Sequence, residues 1–272
     1  MSHSSSDIEL RLLLEAVYAK YSHDFRDYSG ASVKRRVQHA LQQFECETIS
    51  QLQSKVLHDA GAFQQLLEIL TIPFTEMFRD PGYWLALRTQ VVPLLQTYPS
   101  LKVWIAGCST GEEVFSLAIL LREEGLLDRA MVYATDINPA ALDKARQGIF
   151  PLASLRHHTA NYQQSGGKAA FSDYYNAAYN AARFDPELIR NVTFADHSLA
   201  TDTVFSETHF ISCRNVLIYF NRALQNRALG LFHDSLCHRG FLGLGSKESL
   251  DFSDHAEKFD PVSRKERLFR KR

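Results

Sequence analysis

Three features of this 272-residue chain predict an α/β fold with a small all-helical N-terminal domain and a β-rich insertion. Between residues 8 and 70, apolar side chains recur at helical spacing and no strand pattern occurs. From residue 101 onward, apolar runs alternate with helical stretches, which is typical of a largely parallel sheet with helices on both faces. Between residues 151 and 191, a Gly-Gly pair and several aromatic residues replace this alternation, which indicates short strands rather than a crossover helix.

The helical domain and its linker are assigned to residues 1–80. Four apolar stripes predict its helices, and they consist of Leu13, Val17 and Tyr21; Val33, Val37, Leu41 and Phe44; Leu52 and Val56; Phe63, Leu66, Leu67 and Leu70. A segment from Thr71 to Asp80 follows. A further helix, with Tyr83, Leu87, Val91 and Leu94 on its apolar side, then leads into the second unit.

The α/β domain is assigned to residues 81–272. Its predicted strands are Lys102–Ala106, Met131–Thr135, Val192–Ala195, Phe210–Cys213 and Phe241–Gly245, with a final hairpin near Glu266–Arg270. Its predicted helices are Glu113–Glu124, Pro139–Arg146 and Arg222–Leu236. Asn138 and Asn221 are suited to cap the second and third of these helices, because an asparagine side chain accepts hydrogen bonds from the first free N–H groups.

Composition excludes several classes of protein. A net charge of −1 provides no general electrostatic attraction to a nucleic acid. No apolar run approaches the ~20 residues that a membrane span needs. Four widely separated cysteines suggest neither a zinc site nor a disulfide framework. We therefore expect a cytoplasmic, non-secreted monomer without a metal, and we interpret the His157-His158 pair as part of a solvated loop.

A glycine turn joins the first strand to the next helix. The residues Gly107-Cys108-Ser109-Thr110-Gly111 lie between an apolar run and the pair Glu112-Glu113, an arrangement that brings backbone N–H groups around a nucleotide-like ligand. Two carboxylates at the helix start would repel a pyrophosphate and attract a cationic amino-acid tail, so the loop favours S-adenosylmethionine over NAD. The alternative is that the glutamates only stabilise the helix dipole.

Polar residues also follow the next three strands, where the carboxyl ends of a parallel sheet meet. They are Asp136, Asp196-His197-Ser198 and Arg214-Asn215. Asp136 follows Gly111 at about the distance at which nucleotide-binding folds place a ribose-binding acid, and we favour that role over capping of the next helix.

Four ordered segments carry a family resemblance that covers nearly the whole chain. They are Thr71-Ile72-Pro73-Phe74-Thr75-Glu76-Met77-Phe78-Arg79-Asp80, Trp104-Ile105-Ala106-Gly107-Cys108-Ser109-Thr110-Gly111-Glu112-Glu113, Ala134-Thr135-Asp136-Ile137 and Cys213-Arg214-Asn215-Val216-Leu217-Ile218-Tyr219-Phe220. The chain resembles the CheR-type chemotaxis-receptor glutamate methyltransferases. The resemblance implies a Rossmann-like S-adenosylmethionine methyltransferase domain, with S-adenosylhomocysteine as the product of the cofactor.

The resemblance also implies roles for individual residues. Arg79 would pair with the cofactor carboxylate beside Thr75, and Tyr219 would stand near the transferred methyl group. The other implied cofactor contacts are Pro73, Gly107, Glu113 or alternatively Glu112 at the ammonium, Asp136 at the ribose, and Ser198, Leu199, Asn215 and Val216 at the adenine. The family commonly has asparagine where this chain has Pro73 and Ser198, so we expect weaker cofactor affinity.

In this family the substrate is the acidic helical cytoplasmic domain of a chemoreceptor. Lys34, Arg35 and Arg36 follow a glycine-containing turn and could face such a partner, although a solvated helix face is equally compatible with the sequence. Two other functions remain open at this point. They are a non-catalytic regulatory protein that binds an adenosyl ligand and a small-molecule O-methyltransferase.

Overall fold

The structure, a computed structural model, describes residues 4–71, 75–251 and 253–272. The N-terminal part contains the predicted helices, with bounds α1 Ser5–Tyr21, α2 Gly30–Gln43, α3 Ile49–His58 and α4 Ala60–Thr71. Side-chain oxygens of Ser4 and Thr48 accept backbone N–H groups at the starts of α1 and α3. The predicted apolar stripes pack into one core, in which Val17, Val37 and Leu66 are fully buried.

The helix predicted after the linker is present but irregular. It comprises α5 Pro81–Ala86, a wide π turn over Leu87–Val91 and α6 Val92–Leu95. Pro93 has no N–H to donate to the carbonyl four residues earlier, and the wide turn ends two residues before it.

A seven-stranded mixed sheet forms the centre of the α/β part. Its strands are β1 Leu101–Ala106, β2 Ala130–Asp136, β6 Val192–Asp196, β7 Thr208–Cys213, β8 Leu236–Leu244, β9 Phe259–Ser263 and β10 Leu268–Lys271, in the order β6-β2-β1-β7-β8-β10-β9. Pairing is parallel from β6 to β8, and β10 runs antiparallel to both of its neighbours. The predicted parallel sheet with a final hairpin is therefore confirmed.

The crossover helices are α7 Glu112–Glu123, α8 Pro139–Gln147 and α10 Arg222–Ser235. Asn138 caps α8 and Asn221 caps α10, as predicted, by accepting hydrogen bonds from Ala140 N and Leu224 N. Two apolar cores lie on opposite faces of the sheet, one around α5 and α7 and the other around Trp104 and α10.

The insertion contains the predicted short strands. They are β3 Ile149–Pro151, β4 Tyr175–Ala178 and β5 Ala181–Phe184, paired antiparallel in the order β3-β5-β4. It also contains a helix that the sequence analysis missed, α9 Leu155–Gln164. The prediction of a solvated loop for His157-His158 is wrong, because both residues lie on α9 and His158 is buried against the protein.

The helical part and the α/β part contact each other near the carboxyl ends of the parallel strands. Ser29 N donates to Tyr219 O at 2.7 Å, and Asn221 N donates to Asp27 O at 2.9 Å. The rings of Tyr28 and Phe220 make an edge contact with their centroids 4.9 Å apart. These contacts fix the start of α2 against the loop that follows β7.

Candidate functional site

A cavity of about 940 Å³, which includes its open mouth, lies outside the carboxyl ends of β1, β2, β6 and β7. The strand-end rule predicts this position for a ligand in an open α/β sheet. Residues from both parts of the chain line it: Tyr28, Leu70, Thr71, Thr75, Arg79, Gly107, Cys108, Ser109, Glu113, Asp136, Ile137, Ala141, His197, Leu199, Arg214, Asn215, Val216, Tyr219 and Phe220.

The glycine turn lies on the floor of the cavity. Gly107 has φ +78°, and a Cβ there would come within 2.4 Å of Val216 Cγ2, so only glycine fits. Both Gly107 N and Cys108 N donate to Thr135 O at the end of β2. The Ser109 hydroxyl is buried and has no partner among the described residues, although Ser109 lines the cavity. A polar ligand would satisfy that hydroxyl.

The carboxylate of Asp136 connects the glycine turn to α8. Its Oδ2 accepts Ser109 N at 2.9 Å and its Oδ1 accepts Asn138 N at 3.0 Å. Burial raises the pKa of Asp136 above its ordinary value, and the backbone N–H donors oppose that shift. Each oxygen keeps a further lone pair for a hydroxyl donor such as a ribose.

At the other side of the cavity, the two glutamates of the first α7 turn differ in position. Glu113 lines the cavity, and its carboxylate accepts Ser212 Oγ at 2.6 Å and faces Arg214 Nη1 at 3.3 Å. Glu112 does not line it and instead accepts the Thr110 hydroxyl at 2.7 Å. Of the two, Glu113 is thus the one placed to meet a ligand ammonium.

Arg79 reaches the same side from the segment between the two parts. Its neighbours Phe78 and Asp80 both have left-handed backbone conformations, at φ +52° and +55°, which are costly for non-glycine residues. Its carbonyl accepts Trp84 Nε1 at 3.0 Å and Arg214 Nη2 at 2.7 Å. These bonds hold a strained turn that presents the Arg79 side chain to the cavity.

Arg214, which directly follows β7, holds this turn in place, and no role for it was predicted from the sequence. Its side chain is 1% exposed, pairs with Asp80 at 2.8 Å and lies over the Tyr83 ring at 4.1 Å. It therefore joins Glu113 on α7 to the Arg79 backbone through one buried cation.

Residues after β6 form the opposite side of the cavity. Of the two contacts predicted here, Leu199 lines the cavity and Ser198 does not. The Ser198 N–H donates to Asp202 Oδ2, and its hydroxyl accepts Ala200 N. His197, which had no predicted role, lines the cavity in its place.

The loop after β7 supplies Asn215, Val216 and Tyr219, all of which line the cavity. Asn215 has φ +61°, and the buried carboxylate of Glu248 accepts the N–H groups of Asn215, Val216 and Ile218. Glu248 also accepts Gly245 N. No role for Glu248 was predicted from the sequence, because a glutamate in the polar run Gly245-Ser246-Lys247-Glu248 is normally solvated.

Arg36 is buried, although the basic run Lys34-Arg35-Arg36 was expected to face an acidic partner or solvent. It is only 4% exposed, donates to Leu70 O and stacks on the Tyr219 ring at 4.2 Å. Lys34 instead pairs with Asp7 at 2.7 Å on the surface. Three consecutive helical residues point in different directions, so the run is not one basic face.

The two cysteines near the site are unsuited to act as nucleophiles. Burial raises the pKa of Cys108, and Asp136 adds to the shift. Burial likewise raises the pKa of Cys213, with further contributions from Glu248 and Glu113. Both thiols are therefore protonated at neutral pH.

The chemical groups that line the cavity are complementary to each part of an adenosyl amino acid. Arg79 and Glu113 offer opposite charges to a zwitterionic tail, Asp136 offers acceptors to a ribose, and Ile137 and Leu199 offer apolar surface to a base. Pro73, the remaining predicted contact, lies outside the described residues. Fold and lining together define a Rossmann-like S-adenosylmethionine-dependent methyltransferase.

Comparison with known proteins specifies the family. Residues 73–267 match the CheR methyltransferase SAM-binding domain, and residues 8–71 match the CheR methyltransferase all-alpha domain. The chain belongs to the CheR methyltransferase family, and its cofactor is S-adenosylmethionine.

Curated relatives are similar over most of the chain. A provisionally named methyltransferase, Cher3 of Pseudomonas putida, is 65% identical over 270 residues, which is 99% of each chain. The chemotaxis protein methyltransferase of Listeria innocua is 31% identical over 84% of each chain. Chemotaxis protein methyltransferase 2 of Pseudomonas aeruginosa is 33% identical over 74% of this chain and 69% of its own.

Across the described ranges, no helix is both long and apolar enough to span a membrane.

Proposed function

We propose that this protein transfers the methyl group of S-adenosylmethionine to glutamate side chains in the cytoplasmic helical domain of a chemotaxis receptor. The products would be glutamate methyl esters and S-adenosylhomocysteine. Relatives named chemotaxis protein methyltransferases support the assignment. The observation that carries it is the buried guanidinium of Arg36 beside Tyr219, at the cofactor cavity.

Arg36 has unused hydrogen-bonding capacity. Its Nε and Nη2 are buried and have no partner in the part of the chain that the structure describes. A buried cation with free donors is costly unless an anion pairs with it. A carboxylate is the acceptor that satisfies such a planar fork best, and a glutamate side chain supplies one.

A groove between α2 and α4 leads to the same residue. Its volume, which includes the open solvent above it, is about 1240 Å³, and side chains that are mainly basic or amide line it: Arg35, Arg36, His39, Gln43, Gln65, Glu68 and Ile69. An acidic helix in this groove would bring its glutamates to Arg36, which contacts Tyr219 on the cavity wall.

Within the cavity, we assign the tail of the cofactor to Arg79, Thr75 and Glu113. The ribose is assigned to Asp136, and the base is assigned to Leu199, the loop of Asn215 and Val216, and the backbone beside Ser198. We assign Glu112 no side-chain contact, because its carboxylate is occupied by Thr110 outside the cavity.

The reaction needs alignment more than proton transfer. S-adenosylmethionine, when bound, supplies an electrophilic methyl group on a sulfonium that leaves as a neutral thioether. A glutamate, with an ordinary pKa near ~4.3, is already ionised at neutral pH, so no general base is required. Arg36 and Tyr219 would orient the acceptor carboxylate, while Arg79 and Glu113 hold the tail of the donor.

The test is incubation of the protein with methyl-labelled S-adenosylmethionine and receptor-bearing membranes. We expect label on a receptor that mild base releases, since esters hydrolyse there and N-methyl groups do not. Arg36→Met should reduce labelling and leave binding of S-adenosylhomocysteine close to wild type. Arg190→Met, which removes a surface cation away from the groove and the cavity, is the matched control for charge. Cofactor binding without receptor label would contradict the proposal, and label on a small molecule would point to a different acceptor.

A further inference from the structure

His197 is held at the end of β6 with one ring nitrogen unused. The residue lines the cavity and is 8% exposed. Its ring contacts Trp104 and Phe205 edge-on, with centroids 5.2 Å away in both cases. Packing on two sides fixes the plane of the imidazole.

The tautomer of His197 follows from its hydrogen bond. Nε2 lies 3.2 Å from Thr203 O, and a carbonyl oxygen can only accept, so Nε2 carries the proton. In the neutral imidazole Nδ1 is then a bare acceptor. This Nδ1 is buried and has no partner among residues 4–71, 75–251 and 253–272. A buried acceptor of this kind calls for a donor from a ligand.

The order of the strands indicates which part of the ligand faces His197. Glu113 and Arg214 hold the tail side near β1 and β7, and Asp136 ends β2 next to them. His197 follows β6, the strand on the far side of β2. If the tail lies over β1 and β7 and the ribose over β2, the purine lies at β6. The exposed edge donor of adenine is its 6-amino group.

We propose that His197 selects adenine by accepting a hydrogen bond from the 6-amino group through Nδ1. The inference rests on the placement of the cofactor proposed above. Ser198, at the position where the family commonly has asparagine, does not line the cavity, and its hydroxyl is bonded to Ala200 N. We therefore assign recognition of the base to His197 and not to the side chain at position 198.

Two ligands that differ only at the purine test this role by calorimetry. S-inosylhomocysteine carries an oxygen where S-adenosylhomocysteine carries the 6-amino group, so it would face Nδ1 with a second acceptor. We expect the wild-type protein to bind S-adenosylhomocysteine at least about tenfold more tightly than the inosyl analogue, because an unpaired buried acceptor is costly.

Two substitutions distinguish the role of Nδ1 from that of Nε2. His197→Asn keeps an acceptor near the position of Nδ1 and should retain most of the tenfold preference. His197→Gln keeps a polar group near Nε2 for Thr203, and we expect its preference to fall to about threefold or less. A purely structural role at Nε2 predicts the opposite order. His209→Gln is the matched control, since His209 lies at the start of β7 and accepts Lys102 N away from the cavity. Its preference should equal that of the wild type.

Equal binding of both ligands by the wild type would overturn the inference about His197 alone. An unchanged preference in His197→Gln would do the same. Failure of the wild type to bind S-adenosylhomocysteine at all would instead contradict the cofactor site, and the inference with it. Melting temperatures of all variants, measured without ligand, separate loss of folding from loss of recognition.

Discussion

At the scale of single residues, Arg79 is the cation that we assign to the cofactor carboxylate. Arg79→Lys keeps the charge but loses the planar fork, so we expect methyl transfer to fall at least tenfold, which is ~1.4 kcal/mol of transition-state stabilisation. Arg79→Ala should lose more. Label transfer under saturating receptor measures both, with the surface substitution Arg190→Lys as control. Near wild-type rates in both variants would show that another group holds the carboxylate.

Asp136 has a structural task as well as a proposed ribose contact. Asp136→Ala should weaken binding of S-adenosylhomocysteine by about 1–3 kcal/mol, because ribose hydroxyls lose a charged acceptor. It should also lower the free energy of unfolding, because Ser109 N and Asn138 N lose their partner. Calorimetry and denaturant unfolding give the two quantities. Asp143→Ala, on the exposed side of α8, is the control. Unchanged ligand affinity would leave Asp136 as a connection between loop and helix only.

His158 makes stability depend on pH. Burial lowers the pKa of His158 to about 4 from an ordinary 6.5, so the folded state favours the neutral ring. Its contribution is present above pH 6.5 and is lost as the pH falls toward 4, because the unfolded chain binds the proton first. The free energy of unfolding should drop by about 1–2 kcal/mol between about pH 7 and pH 5, and His158→Leu should flatten that dependence. His157→Leu, at the exposed neighbour, should follow the wild-type curve. Parallel curves for the wild type and His158→Leu would contradict the assignment.

Single charged residues were the hardest to predict from the sequence. Arg36, Arg214 and Glu248 are each buried, and each has at least one partner on an element distant in the chain. Local sequence around them indicates solvated positions, because charged residues are almost never fully buried without a partner. The partners of these charged residues are brought near them only by folding. The local sequence pattern therefore could not identify these residues as buried.

At the scale of elements, the strained turn Phe78-Arg79-Asp80 depends on Arg214. Arg214→Met should lower binding of S-adenosylhomocysteine at least about tenfold, because Glu113 and the Arg79 backbone lose their shared partner. Binding of 5′-methylthioadenosine, which lacks the amino-acid tail, should change much less. Calorimetry with both ligands measures this difference.

Arg88→Met is the matched control for that variant. Arg88 is also buried and pairs with Glu123 and Glu124, but it does not line the cavity. We expect it to destabilise the fold without changing the ratio of the two affinities. An equal loss for both ligands in Arg214→Met would show that Arg214 acts on folding and not on the tail site.

Elements with a regular apolar pattern were predicted well, and α9 shows where periodicity fails. The parallel strands have continuous apolar runs, and the helices α8 and α10 have clear asparagine caps. The buried face of α9 contains Leu155, His158, Asn161 and Tyr162, and two of these four residues are polar. Asn161 donates to Met77 O, so a hydrogen-bonded polar side chain occupies a buried position that is usually apolar.

At the scale of the whole molecule, one cavity joins both parts of the chain. S-adenosylhomocysteine should bind with one-to-one stoichiometry and raise the melting temperature progressively with ligand concentration. At about one hundred times the dissociation constant, the stabilisation should be about 2.7 kcal/mol. Scanning calorimetry measures this shift, and isothermal titration gives the stoichiometry. A melting temperature unchanged at millimolar ligand would contradict the assigned site.

The position of the site could be predicted from topology, and its detailed lining could not. The alternation of strands and helices is enough for the strand-end rule to bring the glycine turn, Asp136 and Asn215 together at one sheet edge. It does not distinguish Glu113 from Glu112 or His197 from Ser198. Adjacent side chains diverge at the end of a strand or in the first turn of a helix, so one-residue choices depend on the exact backbone path.

The contacts of Ser29 and Asp27 with Tyr219 and Asn221 have an evolutionary consequence. The loop that carries Tyr219 is attached to the part of the chain that we propose recognises the acceptor. A lineage that changes receptor by replacing its N-terminal helices must also preserve the fit at this loop. If α2 and α4 recognise the acceptor as proposed, acceptor choice and catalytic competence would be inherited together. New specificities should then arise by gradual surface change on α2 and α4 more readily than by recombination of whole domains.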